Sequence, residues 1–204
     1  MATFDNRWSL SSGRTHLGFE LGGKKIAYAY IRKNACRSFK RALGYDEAVD
    51  VRTVAAAFPF DPKEKYDVTI FVYRDPIARA LSLFRNKFID GKENERIMHH
   101  YRGAMGTSDF DFSSFVTFCS KQVDPHTWTQ RSTLRRMRYT HAIPIADLSA
   151  TMVEILGEEA AQPFVAKYNH STAHEISMSD QDKARLSEIY AEDLSLIRKI
   201  EGKD

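Results

Sequence analysis

Two cysteines in 204 residues, Cys36 and Cys119, are too few for a disulfide framework, and with no Cys-x-x-Cys pair they make no zinc ribbon. Such usage suits a reducing compartment, and the chain is expected to be cytoplasmic. A strong charge of one sign is also lacking. The 30 basic and 27 acidic residues leave +3, too little for a general polyanion binder, though local basic clusters can still hold a small anion. No run of about 18 apolar residues occurs, and Met1 to Arg7 contains no apolar core of signal-peptide length, so no integral membrane segment is expected. No repeat, low-complexity tract or Pro/Gly/Ser linker divides the chain, and residues 1–204 read as one domain with a full core.

What is present alternates. His16 to Leu21 and Lys25 to Ile31 flank Gly22-Gly23, a hairpin whose second arm reads as a buried strand. Ala35 to Leu43 has helical composition and stops at Gly44. A second unit follows: Asp67 to Tyr73 is a β-branched and aromatic run with the length of a buried parallel strand. Pro76 then opens a helix in which Ile77, Ala80, Leu81, Phe84 and Phe88 recur at helical spacing. Two helices are expected between Glu93 and Gln122, split by Gly103 to Asp109, then a strand at Thr140 to Ile145 and a helix from Leu148 to Leu156. From Ser179 to Ile200, the stripe Leu186, Ile189, Tyr190, Leu194 and Ile197 predicts one long amphipathic helix. The alternation predicts an α/β layer sandwich around a mainly parallel sheet.

Two strand-to-helix junctions can carry chemistry. Around Tyr30 to Lys40, free backbone N–H groups and the side chains of Lys33, Arg37 and Ser38 can converge on one phosphate or sulfate; the plainer reading is an exposed basic turn. It is not a Walker A loop: the Gly13 to Gly18 spacing is followed by Phe19-Glu20, which disfavours an ATPase or GTPase. At the second junction, Arg74 leaves a strand end and Ser82 lies two helical turns on, so a guanidinium fork and a hydroxyl can reach a phosphate above the sheet. The plainer reading makes Ser82 a packing residue and Arg79 and Arg85 a solvated helix face.

As a pair, Lys33-Asn34-Ala35-Cys36-Arg37-Ser38 and Arg74-Asp75-Pro76-Ile77-Ala78-Arg79-Ala80-Leu81-Ser82-Leu83-Phe84 resemble the sulfotransferases that use 3′-phosphoadenosine-5′-phosphosulfate (PAPS). The likeness is greatest to their carbohydrate branch, sulfotransferase family 2, with its chondroitin and HNK-1 enzymes and bacterial relatives. Asp124-Pro125-His126-Thr127-Trp128-Thr129-Gln130 is similar to that branch's Asp-x-His-Trp-x-x-Gln segment. Asn169-His170-Ser171 is similar to its Asn-x-Ser, and Tyr190-Ala191-Glu192-Asp193 to its closing Tyr-x-x-Asp. The chain departs from the pattern at Arg32, where the family usually has Pro, and at Cys36-Arg37, which replace small hydroxyl residues.

The resemblance implies a three-layer, P-loop-NTPase-like fold, PAPS as donor and no metal. It implies a donor site of Arg32, Lys33, Asn34, Ala35, Cys36, Arg37, Ser38, Arg74 and Ser82, and a carbohydrate, glycoconjugate or small-molecule acceptor. Sulfuryl transfer, like phosphoryl transfer, is an in-line displacement that needs positioning and charge stabilisation. Lys33 is placed at the leaving phosphate, as electrostatic stabiliser and proton donor. The acceptor hydroxyl needs a base near neutral pH, which singles out histidine. His126 is assigned, in an aromatic loop suited to a sugar ring, with His16 as runner-up. His99-His100 and the pair His170 and His174 have ligand spacing without Cys or carboxylate neighbours and read as solvated. Two rival classes stay open: a nucleotide- or anion-binding module without catalysis, and a nucleic-acid binder using Arg131, Arg135, Arg136 and Arg138. Those arginines read better as a basic face beside the cleft or in solvent, so nucleic acid is not an expected partner.

Overall fold

A computed structural model describes residues 2–11, 13–92, 94–165 and 176–203. Asn169-His170-Ser171 and His174 lie outside the described residues. The chain runs β1 (Ala2–Asp5), β2 (His16–Leu21), β3 (Lys24–Ala29), α1 (Cys36–Ala42), α2 (Val51–Ala57), β4 (Val68–Tyr73) and α3 (Pro76–Phe84), which continues as a π-helical turn over Arg85–Ile89. Then come α4 (Glu95–Met105), α5 (Phe112–Lys121), α6 (Gln130–Thr133), β5 (Arg138–Pro144), α7 (Leu148–Leu156), α8 (Gln162–Val165), α9 (Asp180–Ile189) and α10 (Ala191–Ile200).

The five strands form one mixed sheet in the order β1-β5-β4-β3-β2. At its centre β4 pairs in parallel with β3 and β5, and all six of its residues are buried, as expected of a strand covered on both faces. The edges are antiparallel: β2 on β3, and β1 on β5. Parallel pairing is therefore confined to the centre, and β1 has no counterpart in the sequence reading. The β2–β3 hairpin turns on Gly22 and Gly23, both at positive φ (58° and 68°), which a two-residue turn of this twist requires.

Alternation along β4 supplies two cores. Val68, Ile70 and Val72 pack with Tyr28, Phe39 of α1, Val54 of α2, Met152 of α7 and Phe164 of α8. Phe71 and Tyr73 pack on the opposite face with Tyr139, Leu134 and Leu196 of α10. A third cluster lies away from the sheet and joins α3, α4, α5 and α9 through Phe84, Tyr101, Phe115 and Leu186. No helix of the described residues is long and apolar enough to cross a membrane.

The closing segment differs from the single helix expected. It breaks at Tyr190 (φ −107°, ψ 26°), whose ring is buried and whose hydroxyl donates to the Thr127 carbonyl at 3.0 Å. The bend lets α9 complete the helical cluster while α10 covers the sheet, which one straight amphipathic stripe cannot do.

Candidate active site

Tyr28 on β3 stacks on Phe39 of α1, with ring centroids 3.6 Å apart, so the loop between them has to turn within few residues. Lys33 (φ 68°) and Ala35 (φ 60°) take the left-handed conformation, which costs an L-residue about 1–2 kcal/mol. Asn34 between them offsets that cost. It is fully buried; its Nδ2 donates to the Val72 carbonyl at 2.9 Å and to Gln130 Oε1 at 2.6 Å, and its carbonyl accepts from the Tyr28 hydroxyl at 3.3 Å. Lys33 Nζ donates to Asn86 Oδ1, 3.1 Å away in the π-helical turn, a local widening often found at functional sites. Burial pushes the Lys33 pKa down to about 8; Cys36 opposes this, and Arg37, Lys87 and Arg74 add to it. Cys36 and Ser38 are half-buried in the first turn of α1, where Arg37 Nε pairs with Glu47 at 3.0 Å.

The second junction is fastened to the first by one side chain. Arg74 N–H donates to Gln130 Oε1 at 3.0 Å, and Gln130 Nε2 donates to the Arg74 carbonyl at 2.8 Å, so the oxygen that receives Asn34 also receives Arg74. Burial lowers the Arg74 pKa; Asp75 opposes, and Arg79 and Arg85 reinforce. Asp75 caps α3 by accepting from Ala78 N–H at 2.7 Å, and Ser82 is half-buried two turns along that helix. Gln130 is held in turn by the buried Asp193, whose carboxylate accepts the N–H groups of Gln130 and Arg131, each at 2.9 Å.

His126 is oriented from both ends. Asp124, 1% exposed, accepts on Oδ1 the backbone N–H of His126 at 2.8 Å and its ring Nδ1 at 2.7 Å, and on Oδ2 the ring Nδ1 of His100 at 2.7 Å. Burial opposes the Asp124 charge, but the hydrogen bonds and charge of His126 and the bond from His100 prevail and hold the carboxyl well below the usual range. A carboxylate only accepts, so both imidazoles carry a proton on Nδ1. In the neutral ring Nε2 of His126 is then bare, and Arg32 Nη1 donates to it at 3.3 Å. Burial pushes the His126 pKa down to about 4 against the pull of Asp124, with Arg32 and Lys87 adding to the shift.

Arg79 is not on a solvated face: it is 2% exposed and serves three carbonyls. Nε donates to Arg32 at 3.0 Å, Nη1 to Trp128 at 2.9 Å and Nη2 to His126 at 3.1 Å, so one guanidinium joins the Lys33 loop to the His126 segment. Trp128 is braced as well, its indole N–H on the Gln122 carbonyl at 2.8 Å and the Arg14 guanidinium 3.4 Å above its ring. His100 is likewise not part of a solvated pair, since Asp124 is its partner, whereas His99 is exposed. Both ring nitrogens of His16 are engaged, by the Tyr139 hydroxyl at 2.8 Å and the Arg14 carbonyl at 3.1 Å, and burial lowers its pKa to about 4.

The run from Arg131 to Arg138 presents no single basic face. Arg131 and Arg135 turn inward over Phe4 and Phe60, while Arg136 and Arg138 are exposed. Among the described residues no group of His, Cys, Asp and Glu is placed to hold a metal ion.

A model of the sulfotransferase family matches residues 21–197, a span that takes in both junctions, Asp124 to Gln130, and Asp193. The chain belongs to the sulfotransferase family. Neither a curated protein nor a solved structure matches it. In this sulfotransferase-family chain, Arg79, Asn86 and His100 bond to the candidate site residues and are ones that sequence reading misses. Arg79 stands within the second motif, and Asn86 lies one helical turn beyond Ser82, so each had a positional signal. His100 had none, because its partner lies 24 residues away on a different element.

Proposed function

We propose that this chain is a PAPS-dependent sulfotransferase that acts on a hydroxyl of a carbohydrate or glycoconjugate, on a P-loop-like layered scaffold. The observation that carries the reading is the meeting of Arg32 with His126 at 3.3 Å, since it brings the Lys33 loop against an imidazole whose unprotonated nitrogen faces that loop. The residues fit such a donor. Among the described residues Lys33 is bonded to the neutral amide of Asn86 and not to a carboxylate, which leaves its charge for an anion. Arg74, at the neighbouring strand end, offers a second cation for a second phosphate.

When bound, PAPS supplies an activated sulfuryl group and a phosphate leaving group. Lys33 would supply the hydrogen bond and positive charge that the leaving phosphate needs, and Asn86 holds its ammonium in place. His126 Nε2 would take the proton of the acceptor hydroxyl, and Arg32, which donates to that nitrogen, would yield it to the hydroxyl. Asp124 keeps the tautomer and steadies the imidazolium that forms.

Calorimetry with adenosine 3′,5′-bisphosphate and with adenosine 5′-phosphate, followed by labelled-sulfuryl transfer from PAPS to a panel of carbohydrates, tests the reading. Tighter binding of the bisphosphate and transfer to a sugar hydroxyl are expected. Equal affinity for the two nucleotides would remove Arg74 and Ser82 from the donor site. Tight binding with no transfer to any hydroxyl would make the chain a nucleotide-binding module.

A further inference from the structure

We infer that His100 is a positioning residue for the base: it holds the far oxygen of Asp124 and thereby keeps His126 in the tautomer whose Nε2 is bare. The inference rests on the reading of His126 as general base. Asp124 is buried, and its two oxygens are served unequally. Oδ1 receives two donors from His126 itself, while among the described residues Oδ2 receives only the Nδ1–H of His100, at 2.7 Å. A buried anionic oxygen without a donor is costly, so the carboxylate that lost His100 would protonate or rotate. Either response loosens its hold on His126 Nδ1. A protonated Asp124 could itself donate to Nδ1, which moves the ring proton to Nε2 and leaves nothing to accept the hydroxyl proton. In a Ser-His-Asp triad the same error of tautomer costs about 10⁴ in turnover.

The placement of His100 is itself fixed by packing. Ile97 and Tyr101 on α4 are buried in the helical cluster, and a residue three positions from Ile97 shares its helix face. The His100 side chain is 29% exposed, so it is not a filler of that core. His99 points outward from the same turn and serves as the internal comparison.

The test uses the full chain labelled with ring-¹⁵N histidine, as wild type, His100→Ala, His100→Gln and His99→Ala. Imidazole ¹⁵N spectra at neutral pH give the His126 tautomer. Binding of adenosine 3′,5′-bisphosphate and its release from PAPS with water as acceptor are measured in parallel. The expected result is a proton on His126 Nδ1 in wild type, His99→Ala and His100→Gln, and a mixed tautomer in His100→Ala. Release by His100→Ala should fall about 10- to 100-fold, the range found when a metal-bound histidine loses the partner that orients it, with little change in bisphosphate binding. His100→Phe, which keeps a ring without a donor, is read in its place if the alanine variant does not fold. An unchanged tautomer and rate in a folded donor-less variant would overturn the inference, as would a wild-type His100 whose proton sits on Nε2. Failure of the wild type to bind the bisphosphate would overturn the donor reading instead, and the tautomer spectra would still decide the role of His100.

Discussion

Asn34 and Gln130 are 96 residues apart in the chain, yet their side chains meet at 2.6 Å, between the strand-end loop of β3 and the start of α6. The same Gln130 amide holds both backbone groups of Arg74, so the two strand-to-helix junctions share one clasp. Gln130→Ala is expected to lower unfolding stability by roughly 2–4 kcal/mol, because each buried partner left unpaired costs about 1–3 kcal/mol. Urea unfolding gives the value, and a midpoint equal to wild type would show that the clasp is not needed.

Lys33→Ala should reduce turnover by about a hundredfold or more, while weakening nucleotide binding far less. Because the Lys33 pKa lies at about 8 in the free chain, a bound anion should return a proton to it. Adenosine 3′,5′-bisphosphate binding at pH 9 is therefore expected to take up protons, read as a buffer-dependent heat that disappears in Lys33→Met. An identical buffer dependence in the variant would assign the proton elsewhere. For stability the sign is positive: between about 8 and 10.5 the unfolded chain holds more protons, so this group adds stability as pH rises through that window and none below it.

His126 and His16 are both pushed down from 6.5 to about 4 by burial. Between these values the unfolded chain binds more protons than the folded one, so stability is full above about 6.5 and is lost as pH falls toward 4. The slope expected is about 1.4 kcal/mol per pH unit for each ring. Thermal melts from pH 7 to pH 4.5 should show it, and His126→Gln should remove its own share. The same shift moves the acid limb of donor-free base availability below the ordinary histidine range. An inflection near 6.5 in the His126 ring titration would contradict that.

Arg79→Lys keeps the charge but cannot reach three carbonyls with one planar fork. The expected loss is about 3 kcal/mol of stability, with turnover falling because the carbonyls of both Arg32 and His126 lose their tie. Arg136→Ala, at an exposed position, should stay within about 0.5 kcal/mol of wild type. If the two variants unfold alike, Arg79 does not brace the site.

The sequence by itself determined several local elements, though not the short helices α2, α6 and α8. The Gly22-Gly23 hairpin, the β-branched and aromatic β4, Pro76 at the start of α3 and the helix ending at Gly157 follow from turn chemistry and periodicity, which act between near neighbours. The paired motifs around Lys33 and Arg74 also marked where the strands end. Only the tertiary structure decided what those residues touch. The edge strand β1 is too short to announce itself and exists because β5 pairs with it. The break at Tyr190 appears where α9 must serve one core and α10 another. Arg79 reads as a surface cation until three carbonyls from distant segments surround it, and His100 reads as solvated until Asp124 is brought beside it. Pattern along the chain reports which face of an element is apolar, whereas the partner of a buried charge is selected by long-range folding and leaves no periodic trace.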